Sequence, residues 1–383
     1  MDFKPLIKFM HHLTDSFVPG NAICVYYKNQ EVFRYSTGYA DVASKQPMSD
    51  EILLNIYSCS KPATVTAALQ LIEQKKCNLN DPLYEYIPAF SNMQVQEQGA
   101  YRPAKEPIKL LHLFTMQAGL DYNTEHPAIT ALREATIGQM PTVAVAEAIA
   151  QRPLLFDPGT GWNYSLCHDV LAAVVEIVSG QRFQEYMVDH IFDPLDMHSV
   201  YYHQTPDIQN RMATQYCLIG GPDDLVNAQI NGSLVENAKT EQIGKENHLV
   251  FGPSYDSGGA GIIVSVREYA KLANALSRHG VGANGNRILQ ADTIALLREN
   301  QLSSHALKSF DWPQLSGYGY GLGVKTHISN ADSHRDFGWG GAAGATIFVD
   351  PDMELGVFYA HHMLNPQESY YQPLLREAIY QCF

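Results

Sequence analysis

Two periodicities divide this sequence. Strand-like runs gather near both ends of the chain, and helix-like runs fill the middle. Residues 21–27 (NAICVYY) and 31–40 (EVFRYSTGYA) flank the polar turn Lys28-Asn29-Gln30, the pattern of a hairpin. Toward the other end, residues 318–327, 345–349 and 355–361 read as strands, and Asp350-Pro351-Asp352 marks the turn between the last two. Between these ends, helical spacing covers residues 63–76, 108–117, 142–151, 168–179 and 266–277. Leu6, Phe9, Met10, Leu13 and Phe17 recur on one side of a further short helix. Residues 218–254, rich in Gly, Asn and charge, read as long loops. Strands at both termini with helices between predict an α/β fold: an antiparallel β-sheet built from N- and C-terminal strands and flanked by helices. Residues 1–80 with 255–383 would form the sheet domain, and 81–254 an inserted, mainly helical domain. A site is expected where the two meet.

Composition excludes several classes of function. With 383 residues, 45% of them hydrophobic, the chain can bury a core without staples. A formal net charge of −14 repels phosphate backbones, which argues against a nucleic-acid partner. No run of about 18 apolar residues is present, so no membrane span is expected. The first residues, MDFKPLIKFMHHLTDSF, lack an apolar stretch of secretory length, which predicts a cytoplasmic protein. The six cysteines are scattered without a Cys-x-x-Cys pair and are expected as reduced thiols. No zinc-ligand spacing occurs, and the adjacent pairs His11-His12 and His361-His362 point to different sides of a helix or strand. No metal or cofactor is expected.

Three segments can carry chemistry. The first is Tyr57-Ser58-Cys59-Ser60-Lys61-Pro62, ahead of the helix at 63–76. Ser58 and Lys61 are three apart and share a face at a helix start, where free N–H groups and the helix dipole favour an oxyanion. Lys61 serves as a base only if its pKa falls, which demands burial. With 22 serines and 14 lysines, chance alone supplies about 0.8 Ser-x-x-Lys pairs, so context must decide, and Ser58 also fits an N-cap. The second is Pro158-Gly159-Thr160-Gly161-Trp162-Asn163-Tyr164-Ser165-Leu166, which delivers a tyrosine at a helix start. Tyr164 could relay a proton if cations hold its pKa down; the alternative is packing at a loop–helix junction. The third is Phe337-Gly338-Trp339-Gly340-Gly341-Ala342-Ala343-Gly344, where glycines in a strand pattern permit close approach to a ligand along an edge strand, or else mark a bulged, twisted strand.

In order and context these segments resemble the serine β-lactamase and penicillin-binding-protein superfamily, specifically its class C-like branch, with esterase, D-aminopeptidase and acyltransferase members. Residues 108–120, 158–180, 257–265 and 339–351 extend the resemblance over roughly residues 18–362. It implies a β-lactamase/transpeptidase-like fold. It also implies that Ser58 is the nucleophile, with Lys61 and Tyr164 sharing its proton and the backbone N–H groups of Ser58 and Ala342 forming the oxyanion hole. The reaction implied is two-step acyl transfer through an acyl-enzyme on a small-molecule ester or amide.

Two departures bear on substrate. Where β-lactamases have Tyr-x-Asn, this chain has Tyr164-Ser165-Leu166, which removes an amide donor. Where a Lys or His usually leads the third motif, it has Trp339-Gly340-Gly341, and an indole cannot pair with a carboxylate. Trp-led motifs resemble those of esterases in the superfamily, so a carboxylesterase-like serine hydrolase with weak or no β-lactamase activity is expected. Trp339, Gly340, Gly341, Tyr122 and Leu166 are the expected substrate contacts. The loops at 85–105, 122–141 and 218–254 are expected to shape the pocket. Cys59 is expected in the core, and His168 as a helix-start residue with a structural hydrogen bond. A β-lactamase, a D-amino-acid peptidase, an acyltransferase and a non-catalytic penicillin-binding-type sensor remain as alternatives. Oligomeric state is not legible.

Overall fold

The computed structural model describes residues 1–219, 239–328 and 334–383. Its largest sheet has eight strands: β1 (Gly20–Tyr27), β2 (Gln30–Asp41), β3 (Gln46–Pro47), β4 (Tyr318–Tyr320), β5 (Lys325–His327), β6 (Phe337–Gly341), β7 (Ala345–Asp350) and β8 (Leu355–His361). They lie in the order β4-β5-β6-β7-β8-β1-β2-β3, and each neighbouring pair is antiparallel. The two ends of the chain join at β8 and β1, in register from Asn21 opposite His361 to Tyr27 opposite Leu355. The β1–β2 turn is tighter than the sequence implies. Only Lys28 and Asn29 turn, both with positive φ (48° and 67°), the twist that suits a two-residue hairpin.

Five helices frame the sheet and the site: α1 (Lys4–Ser16), α2 (Ser60–Glu73), α3 (Cys167–Ser179), α4 (Val266–Ser277) and α5 (Glu368–Tyr380). Alternation along the strands decides how they pack. Ile23 and Val25 of β1, with Val357 and Tyr359 of β8, face one way and meet Leu6, Met10 and Leu13 of α1 and Leu375 and Ile379 of α5. Ala22 and Cys24, with Phe358 and Ala360, face the other way and join the larger core containing Tyr269, Leu272 and Leu276 of α4. Helix α2 lies within that larger core. Every residue from Ser60 to Leu71 is buried, so it reads as a central helix rather than an amphipathic surface one. No described helix is long and apolar enough to cross a membrane.

Several expectations need correction. Residues 318–327 are not one strand but the two strands β4 and β5, joined by a turn in which Gly323 has φ 79°. The segment 337–341 is an edge strand only in its second half. Among the described residues, β5 pairs with Phe337 and Gly338, and from Trp339 to Gly341 the strand pairs with β7 alone. Of the loop expected at 218–254, Lys239–Gly244 is a strand paired with Gln215–Ile219, and residues 220–238 lie outside the described residues. The stretches 85–105 and 122–141 contain a hairpin (Gln94–Glu97 with Ala100–Pro103) and a helix (Pro127–Ala135). Helix α5 is not legible in the sequence, because Pro373 lies inside it and argues against a helix.

Candidate active site

Ser58 sits in a short 3-10 turn, Tyr57–Cys59, that leads directly into α2. Tyr57 takes φ 45°, a conformation a bulky residue adopts only when its surroundings hold it there. They do so from several directions. The Tyr57 hydroxyl donates to Gln215 Oε1 at 2.8 Å, the Ile56 N–H donates to the Ile262 carbonyl at 3.1 Å, and the Tyr269 hydroxyl donates to the Cys59 carbonyl. Strand β6 closes the other side. Cys59 Sγ donates to the Trp339 carbonyl at 3.3 Å, and a Cβ on Gly341 would collide with the Ile56 carbonyl oxygen. Gly341→Ala should therefore push the strand off the turn, costing about 1–3 kcal/mol by overpacking. Thermal unfolding should show the loss, together with a fall in any Ser58-dependent activity; a wild-type melting temperature would contradict this packing.

Three side chains from distant parts of the sequence converge on this turn. Lys61 Nζ lies 3.0 Å from Ser58 Oγ, and the Tyr164 hydroxyl lies 2.6 Å from the same atom. Lys61 Nζ also donates to the Gly259 carbonyl at 2.8 Å. Trp339 Nε1 donates to the Tyr164 oxygen at 3.3 Å, which leaves the phenol free to donate to Ser58. Lys61 is fully buried, with the rings of Tyr164 and Tyr122 at 4.7 and 5.6 Å. Burial lowers its pKa to about 8, against the pull of Asp169, which favours the charged form. The condition set for Tyr164, a pKa held down by cations, is not met. Burial outweighs its hydrogen bonds and pushes the phenol up, so it is neutral at ordinary pH.

The other expected residues divide. Trp339, Gly340 and Ala342 line a cavity of about 170 Å³ together with Ser58, Tyr164 and Trp312. Tyr122 stacks on Tyr164 with ring centroids 5.6 Å apart, a second layer behind the phenol. Gly341 faces the Ile56 turn, and Leu166 is buried in the core just before α3; neither is among the residues lining this cavity. None of its lining comes from the loops at 85–105, 122–141 or 218–254 among the described residues; residues 312–315 and α5 supply wall instead.

Cys59 is a fully buried core thiol whose pKa burial raises. His168 is buried, kept neutral with a pKa lowered to about 3, and contacts the Phe114 carbonyl at 3.3 Å. His361 and His362 are also buried, contacting the Tyr359 hydroxyl and the carbonyls of Thr214 and Tyr39. All six cysteines are unpaired.

Sequence reasoning misses two groups. Asp169, in the first turn of α3, accepts from the Tyr255 hydroxyl at 2.6 Å, Ser257 Oγ at 2.7 Å and the Gly259 N–H at 3.1 Å. It thereby fixes the residue whose carbonyl holds Lys61. An acidic residue in a first helical turn is ordinary, so only the burial of Asp169 distinguishes it. The second group is Lys325 and Glu368, which line the same cavity as Ser58. The indole at 339 thus does not leave the cavity without a cation, because the adjacent strand brings one. No local motif announces either residue.

This arrangement of sheet and flanking helices is matched by known proteins. The chain belongs to the beta-lactamase family, whose model matches residues 8–379. Among curated relatives, Protein Rv1367c of Mycobacterium tuberculosis is 26% identical over 368 residues, covering 91% of this chain and 87% of that protein. Esterase EstB of Burkholderia gladioli is 25% identical over 388 residues, covering 94% and 90%. Among solved structures, EstCE1, described as a hydrolase with promiscuous acyltransferase activity, superimposes with a TM-score of 0.77 at 25% identity, covering 98% of each chain.

Proposed function

We propose that this protein is an esterase-type serine hydrolase working through an acyl-enzyme on Ser58. The observation that carries the reading is the convergence of Lys61 Nζ and the Tyr164 hydroxyl on one serine oxygen, at 3.0 and 2.6 Å. In the active form Lys61 is neutral and takes the proton of Ser58 as Oγ attacks the ester carbonyl. The carbonyl π electrons move to oxygen, and the backbone N–H groups of Ser58 and Ala342 receive that oxyanion; one such donor is typically worth about 3 kcal/mol. When the tetrahedral intermediate collapses, the C–O bond to the alcohol breaks. The neutral phenol of Tyr164 protonates the departing alkoxide and is reprotonated from the Lys61 ammonium. Water then attacks the acyl-enzyme by the same steps in reverse roles and releases the acid. Trp339 and Trp312 give the cavity an aromatic wall. The relatedness to EstB supports an ester substrate.

Transfer of the acyl group to an alcohol rather than to water is the second reading, favoured by the likeness to EstCE1. A panel of short- and long-acyl 4-nitrophenyl esters beside a chromogenic cephalosporin, with and without an added alcohol acceptor, tests both. Ester cleavage with slow or no cephalosporin turnover is expected; rapid cephalosporin turnover without ester cleavage would overturn the proposal.

Tyr164→Phe removes the proton donor but keeps the ring that packs against Trp339 and Tyr122. The expected result is a fall in kcat of about 10²–10³ with little change in melting temperature. Because the phenol's task is to protonate the leaving group, the loss should be larger for alkyl esters than for nitrophenyl esters, whose leaving group needs no proton. Equal losses for both would remove Tyr164 from that step.

A further inference from the structure

The cavity at Ser58 continues into a polar recess between β5, α5 and the turn at 313–315. Four side chains there line the same cavity as the serine: Gln314, Lys325, Glu368 and Gln372. Two hydrogen bonds fix them. Lys325 Nζ donates to Gln372 Oε1 at 2.8 Å, and Gln314 Nε2 donates to Glu368 Oε2 at 3.0 Å. Glu368 Oε1 faces Gly340; a Cβ added there would stand 2.7 Å from it, and it would collide with Gln372 Nε2 as well. A glycine at 340 is therefore what lets the recess open onto the strand beside the serine.

The chemistry of the recess is selective. It holds one cationic and one acidic side chain, each oriented by an amide partner, and both are more than superficially desolvated. Burial lowers the pKa of Lys325 and raises that of Glu368 to about 7. A lone carboxylate entering the recess would face Glu368, and a lone ammonium would face Lys325. An alkyl end would displace water from both polar groups and offer them no new partner, which is costly. Above about pH 7, where Glu368 is ionised, a hydroxyl satisfies both, donating to the carboxylate and accepting from the ammonium; a primary amide has the same donor–acceptor character. The volume of about 170 Å³ admits a group on the scale of benzene, so the chain that reaches the recess is short.

We propose that the Lys325–Glu368 recess is a specificity site for an uncharged hydrogen-bonding group, a hydroxyl or primary amide, at the end of a short chain attached to the scissile ester. The inference rests on the reading of Ser58 as nucleophile and names the substrate class of that site. It adds a polar end to the cavity whose aromatic wall Trp339 and Trp312 form.

The test compares hydroxyl and methyl ends on each side of the ester. 1,4-Butanediol monoacetate is paired with pentyl acetate, and methyl 6-hydroxyhexanoate with methyl heptanoate. In the wild type, kcat/KM should favour the hydroxyl by at least about tenfold in one pair, since a site built to bond a hydroxyl discriminates strongly against its absence. Monomethyl adipate and methyl 6-aminohexanoate should both fall below methyl 6-hydroxyhexanoate. In Glu368→Leu and in Lys325→Met the hydroxyl-to-methyl ratio should drop to about one or below. Each ratio is taken within one variant, so a general loss of activity cancels. Glu368→Gln, which keeps the shape and an acceptor, should retain part of the preference and guards against a folding defect in the leucine variant.

A wild-type ratio at or below one in both pairs, a ratio unchanged in both apolar variants, or a preference for the adipate ester would overturn the inference while leaving Ser58 chemistry standing. A wild type that fails to cleave even 4-nitrophenyl acetate would overturn the Ser58 reading, and this inference with it.

Discussion

Ser58→Ala is expected to lower kcat for 4-nitrophenyl acetate by at least about 10⁴. Removing the nucleophile of an acyl-transfer enzyme eliminates the covalent route, and what remains is the modest acceleration that oxyanion donors and binding supply. The fold should survive. The turn holding residue 58 is fixed by Tyr57, Cys59, Tyr269 and Gly341 rather than by the serine hydroxyl. Lys61 keeps its bond to the Gly259 carbonyl, so the deletion costs about 1 kcal/mol of hydrogen bonding. Steady-state kinetics beside a melting curve check both halves. A variant that folds and retains a tenth or more of wild-type kcat would place the nucleophile elsewhere.

Lys61→Met comes second in expected effect, with a fall in kcat/KM of about 10³ or more and a changed pH profile. As the proposed base, Lys61 must be neutral to accept the Ser58 proton, and burial brings its pKa to about 8. The active form therefore gains population as pH rises, so wild-type kcat/KM should climb tenfold per pH unit below about 8 and level off above it. In the methionine variant that limb should vanish. Stability carries its own sign. The folded pKa lies below the unfolded lysine value of 10.5, so the unfolded chain binds more protons between the two, and stability rises with pH from about 8 to 10.5. Methionine removes the cost of burying that charge at neutral pH, so its melting temperature should match or exceed that of the wild type. A persistent rise in activity near pH 8 in the variant would assign the titration to another group.

The features legible in the sequence are the local ones. Ser58 and Lys61 lie one helical turn apart, Tyr164 follows a glycine-rich approach, and the terminal strands announce themselves by alternation. The hidden features depend on closure of the fold. Lys325 falls within a run read as strand and no motif marks Glu368; only the sheet order and the seating of α5 bring them to the cavity that holds Ser58. Pro373 masks α5 itself. Asp169 reads as a dipole-compensating residue, and its contact with Gly259, ninety positions away, is visible only after folding. The condition of a cation-lowered Tyr164 pKa is unmet for a physical reason. It weighs charges and not burial, and burial dominates.

The central claim is that Ser58 carries the acyl group. Intact-protein mass spectrometry after brief mixing with a fluorophosphonate probe or a slowly hydrolysed ester, followed by peptide mapping, tests it most directly. One equivalent of adduct on the peptide containing Ser58, absent in Ser58→Ala, is the predicted result. Stoichiometric labelling of any other residue, or a folded and active wild type that takes no label, would contradict it.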